Sequence, residues 1–136
     1  MNKKGFALIE LLTVIGKSEF AINDLTSAYI PSSITQVKDY AFASSGRSDG
    51  STLNISKLIF ESESILETIG DSAFCQNAIE EDVTLPNTVT TIEGGTFLNN
   101  NITILNLGSK IKSIGERVFK NLQLISTISI PSSVES

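Results

Sequence analysis

Apolar residues recur along this chain at two fixed spacings. One pattern reads Ile102-x-x-Leu105-x-Leu107 and returns as Ile125-x-x-Ile128-x-Ile130, Ile55-x-x-Leu58-x-Phe60 and Leu25-x-x-Ala28-x-Ile30. Val83-x-Leu85 fits it too, with Ile79 displaced by one residue because Glu80 stands in its expected place. The last three positions alternate in, out, in, which is the period of a half-buried strand. The second pattern is anchored on Phe42, Phe74, Phe97 and Phe119. Val37, Ile69, Ile92 and Ile114 stand five residues before these rings, and Ile34, Leu66, Val89 and Ile111 three residues earlier still. Pro31, Pro86 and Pro131 fall just past the strand pattern, where a residue without an N–H ends a ladder and starts a turn.

A strand and its return segment cannot bury an apolar edge alone, but stacked copies can. The repetition therefore predicts a coil whose aliphatic positions form internal ladders. Phe42, Phe74, Phe97 and Phe119 are expected to form its structural spine. The ring spacings are 32, 23 and 22 residues. The longer first interval holds a polar Gly/Ser-rich stretch, residues 43–52, read as a surface loop insertion containing Arg47 and Asp49. Asn99-Asn100-Asn101 reads as a turn that tolerates left-handed backbone.

The Leu-x-x-Leu-x-Leu strand pattern resembles leucine-rich repeats. The unit Ile30-Pro31-Ser32-Ser33-Ile34 through Ala41-Phe42, together with Ile69-Gly70-Asp71-Ser72-Ala73-Phe74, resembles the BspA-like, or Treponema-type, form. That resemblance implies a β-rich solenoid, a right-handed leucine-rich-repeat coil of about four to five units over 25–136. It also implies a surface protein.

Before the repeats, Lys3 and Lys4 precede an apolar run from Phe6 to Ile15 that is broken by Glu10 and Thr13 and ends at Gly16. A basic flank followed by an apolar run has the shape of a targeting segment, but a bilayer span needs about 20 apolar residues. Inserting a carboxylate costs roughly 2.5–3.5 kcal/mol, so Glu10 asks for a role. Lys3-Lys4-Gly5-Phe6 followed by Leu8-Ile9-Glu10-Leu11-Leu12 resembles the leader and helix start of type IV prepilins and pseudopilins. The resemblance implies cleavage by a prepilin peptidase after Gly5, methylation of the Phe6 amine, and pairing of Glu10 with that amine on a neighbouring subunit. The organisation expected is a prepilin-like leader and short apolar helix over 1–16, a linker or N-terminal cap over 17–24, and repeats over 25–136. The helix either meets a membrane or caps the solenoid.

Charge and composition narrow the chemistry. Net charge is −5, which opposes nucleic-acid binding by phosphate neutralisation. With no His and a single Cys, Cys75, neither a Cys/His zinc site nor an internal disulfide can form. No His is present as a general base and no Gly-rich phosphate loop follows a strand, so no enzyme and no cofactor is expected. Glu80-Glu81-Asp82 is read as a solvated turn rather than a hard-ion site, which needs 6–8 oxygens. Outward strand positions Tyr29, Ile59, Thr84, Asn106 and Ser129, flanked by Lys57, Asp82 and Thr127, form the expected binding face for a protein or glycan partner. The function expected is a non-enzymatic adhesion module at the cell surface. The alternative is a minor pilin or pseudopilin subunit.

Overall fold

The computed structural model describes residues 12–44, 54–123, 125 and 128–136. Its strands are short and all pair in parallel: β1 (Val14–Ile15), β2 (Ser27–Ile30), β3 (Gln36–Val37), β4 (Lys57–Phe60), β5 (Thr68–Ile69), β6 (Asp82–Thr84), β7 (Thr91–Ile92), β8 (Ile104–Asn106) and β9 (Ser113–Ile114). Odd-numbered strands build one five-stranded sheet in the order β1-β3-β5-β7-β9, while β2 pairs β4 and β6 pairs β8. Each coil thus lays one strand on each of two walls. Parallel pairing follows because every turn of the coil returns the chain in the same direction.

Between the walls lies one apolar core. Ile15, Val37, Ile69 and Ile92 line it from the five-stranded sheet, in register Ile15↔Val37, Val37↔Ile69 and Ile69↔Ile92. Leu25, Ile55, Ile79 and Ile102 form a column from the other side, and all four are buried. Ile34, Leu66, Val89 and Ile111 are each fully buried.

Phe42, Phe74 and Phe97 stack face to face, with ring centroids 5.3 Å apart for Phe42–Phe74 and 5.8 Å for Phe74–Phe97. The column extends in the other direction from the one expected. Phe20 stacks on Phe42 at 5.3 Å, whereas Phe119 is half-buried against the core and, among the described residues, has no ring partner. Residues 17–24, expected as a linker or cap, therefore supply a ring to the stack.

The apolar N-terminal helix needs correction. Among the described residues there is no helix, and Val14–Ile15, the end of the expected helical run, is strand β1 paired with β3. Leu12, Ile15 and Phe20 repeat the spacing of Ile34, Val37 and Phe42, so this stretch forms the same strand and turn as its neighbour. A short apolar run fits a buried strand as well as a helix, and stacking on the next coil decides between them.

Two asparagines tie the coils together. The Asn77 amide donates to the carbonyls of Phe42 (2.8 Å) and Phe74 (3.1 Å), and its oxygen accepts from the Ile55 N–H. Asn100 does the same one coil on, donating to Phe74 (2.9 Å) and Phe97 (3.1 Å) and accepting from Ile79 N–H (3.0 Å).

The second wall is interrupted between β4 and β6. Ile79 to Val83 is one residue longer than Ile55 to Leu58 or Ile102 to Leu105. Ile79 nevertheless stays in the core, and Glu81 takes a left-handed backbone (φ 70°). Glu80 N–H still reaches Ser56 O, but β4 and β6 then run side by side without a shared ladder. The extra residue behaves as a bulge.

Candidate functional site

Alternation along β2, β4, β6 and β8 turns every second side chain outward. Tyr29 and Ile59 are direct partners across β2–β4, and Thr84 and Asn106 across β6–β8. All four are exposed, Tyr29 by 50% and Ile59 by 40%. Asn106 donates to the Thr84 hydroxyl at 3.1 Å. Ser129 is exposed one coil further on, outside any strand, and Thr127 lies outside the described residues. Lys57 and Asp82 flank the row, and Asp82 accepts from Thr103.

Two members of this surface are absent from the sequence-based row. Ile104, directly opposite Asp82 in β8, is 50% exposed. Counting back two residues from Asn106 would have found it. Glu61 follows Ile59 by two residues and so shares its outward parity. Its carboxylate accepts from the Ser32 N–H at 2.6 Å, and the Tyr29 hydroxyl stands near enough to interact with it. The Ser32 hydrogen bonds, led by its backbone N–H, and then the Tyr29 hydroxyl hold Glu61 below the usual glutamate range, so it is ionised at neutral pH. Loss of water contact and then the Glu61 charge push the Tyr29 phenol up, so it stays protonated.

Grooves open where the strands hand over to turns. One of about 460 Å³ lies between the segments after β4 and β6, lined by Phe60, Glu61, Glu63, Thr84, Pro86 and Thr88 among others. A second, of about 500 Å³, lies between Ile104, Asn106 and Leu107 on one side and Ser129 and Pro131 on the other.

Other candidate residues fall elsewhere. Gly5, Phe6 and Glu10 lie outside the described residues, as do Arg47 and Asp49. Glu80, Glu81 and Asp82 are exposed and sit at the bulge. Among the described residues no three His, Cys, Asp or Glu side chains converge as metal ligands. Burial raises the Cys75 thiol pKa, so it stays protonated and is a poor nucleophile. No helix among the described residues is long and apolar enough to cross a membrane.

The BspA type Leucine rich repeat region matches this chain in six copies over residues 2–49 and 49–136. The crystal structure of the pneumococcal vaccine antigen PcpA is similar over 97% of this chain, with a TM-score of 0.63 and 21% sequence identity. The chain spans 40% of that protein's length, and the likeness is one of fold. No curated protein matches the chain.

Proposed function

This chain belongs to the BspA-type leucine-rich repeat family, and from that premise we propose that it is a non-enzymatic interaction module displayed at the cell surface, binding a macromolecular partner on the face of β2, β4, β6 and β8. The observation that carries this reading is the pair Tyr29 and Ile59. These are large side chains, opposite each other in adjacent coils, and about half of each is left in water. Half-exposed aromatic and aliphatic side chains in a polar surround are what interface anchors look like, with Tyr strongly represented among them. Thr84, Asn106 and Ser129 extend the row with hydrogen-bonding groups. The fold of PcpA, a vaccine antigen, supports display outside the cell. The pilin alternative rests on residues outside the described set, and neither the family match nor the structural neighbour supports it.

The test is binding of the purified chain to protein and glycan arrays, repeated with Tyr29→Ser, Ile59→Ser and Asn106→Ala. Substitution here is expected to lower binding while moving the melting temperature by only a few degrees, since about half of each large side chain is already in water and about 1 kcal/mol shifts a domain of this size by a few degrees. Unchanged binding by all three variants would remove this face as the site.

A further inference from the structure

We propose that the groove between the segments after β4 and β6 receives an extended polypeptide anchored by a lysine or arginine side chain. The partner would then be a protein that presents a basic residue next to an apolar one. This rests on reading the exposed sheet as a binding face, and it adds the class of partner.

The groove joins an apolar lining to two carboxylates. Phe60, half-buried, is fixed edge-on against Phe74 at 6.3 Å, and Pro86 lies in the lining contributed by the next coil. Glu61 and Glu63 stand along the same groove. Among the described residues the one ion pair, Lys112–Glu135, is elsewhere, and neither glutamate is paired with a described cation. The volume, about 460 Å³, suits a side chain and its flanking backbone rather than a bulk surface contact.

Glu61 is pre-oriented. The Ser32 N–H holds it in place at 2.6 Å and favours the charged form, and the carboxylate retains lone pairs for a further donor. Lysine and arginine lay their aliphatic stems on apolar surface and keep the charged head at a polar rim. Here the stem would lie along Phe60 and Pro86 and the head would meet Glu61 and Glu63, where an arginine fork can bond a carboxylate in two places. Tyr29 and Ile59, adjoining Glu61 on the sheet, would take the neighbouring apolar side chain. Lys57, the basic residue of the face, stands at the other end of β4. With a net charge of −5, acidic glycans and nucleic acids are repelled from this surface, whereas a basic segment is drawn to it.

The experiment pans random short peptides displayed on phage against the purified chain, with a glycan array run in parallel. Selected peptides are expected to share a Lys or Arg beside an apolar residue. A synthetic peptide of that consensus should bind the Glu61→Gln/Glu63→Gln variant roughly tenfold or more weakly, with a shallower salt dependence. Glutamine at 61 keeps an oxygen for the Ser32 N–H, so an unchanged melting temperature checks that the fold survives. Peptides that lack a basic residue but lose binding with Tyr29→Ser would overturn this inference and leave the binding face standing. Basic peptides insensitive to both glutamates, or hits confined to glycans, would overturn it as well. No ligand of either class would overturn both this inference and the interaction-module reading.

Discussion

Asn100 is 1% exposed, and both ends of its amide are occupied. It gives the Ile79 N–H an acceptor and the Phe74 and Phe97 carbonyls a donor, at a corner where the coil turns away from its neighbour's ladder. Each such bond contributes about 1 kcal/mol, and a stranded buried group costs about 1–3 kcal/mol. Asn100→Ala strands the Ile79 N–H and the Phe97 carbonyl, while the Phe74 carbonyl keeps its bond from Asn77, so a loss of about 2 kcal/mol or more is expected in urea denaturation, and a loss under about 1 kcal/mol would mean that water replaces the amide. Asn99, beside it, does have the left-handed backbone that the sequence suggests (φ 58°). The role of Asn100 was hidden because three asparagines in a row read as a turn. The recurring offset Phe74-x-x-Asn77 and Phe97-x-x-Asn100 was the available signal.

The turn before each ring obeys a stricter rule than the sequence suggests. Ser18, Tyr40, Ser72, Gly95 and Arg117, each two residues before a Phe, all adopt positive φ, between 53° and 66°. Their N–H groups bond coil to coil: Ser18 to Asp39 O, Tyr40 to Asp71 O, Ser72 to Gly94 O and Gly95 to Glu116 O. That ladder holds the left-handed corner even where the residue disfavours it. Only Gly95 adopts it without strain, and a Cβ there would sit 3.0 Å from the Ser72 hydroxyl. Gly95→Ala is therefore expected to cost about 1–2 kcal/mol, and Arg117→Gly, at the equivalent exposed corner, to gain up to about 1 kcal/mol. Thermal melts that move both variants the same way would contradict the shared geometry. Deleting Glu81 tests the bulge in the same spirit. It restores the three-residue step from Ile79 to Val83, and slowed amide exchange along β4 and β6 is expected as the two strands pair. Strand positions and their outward parity were legible, because alternation and the closing prolines mark them locally. The break between β4 and β6 was visible only as the displaced Ile79. The coil that holds β1 was hidden by the apolar run it ends, which suits a helix as well as a strand, although Leu12, Ile15 and Phe20 carry the same spacing as Ile34, Val37 and Phe42. The hold on Glu61 was not legible, because it depends on Ser32, 29 residues away in the preceding coil.

At the scale of the whole molecule, stability in a stacked coil is close to a sum of unit and neighbour terms, so a side chain's worth depends on how many coils cover it. The phenylalanines test this directly. Phe97 is fully buried and stacked on Phe74, with Thr96 beside it bonding to the carbonyls of Gly70 and Glu93. Phe119 occupies the same place in the next coil but is half-buried and has no ring on it among the described residues. Phe97→Ala would remove a ring and leave a cavity that rigid neighbours cannot fill, which costs about 3–5 kcal/mol. Phe119→Ala removes less buried surface and opens toward solvent, so about 1–2 kcal/mol is expected at roughly 25 cal/mol per Å² of apolar area. The two are compared by urea denaturation on otherwise identical chains. A clear gap with Phe97 the larger is the expected result. Equal losses would mean that position in the stack does not set the energy of the spine, and the additive picture of the coil would fail with it.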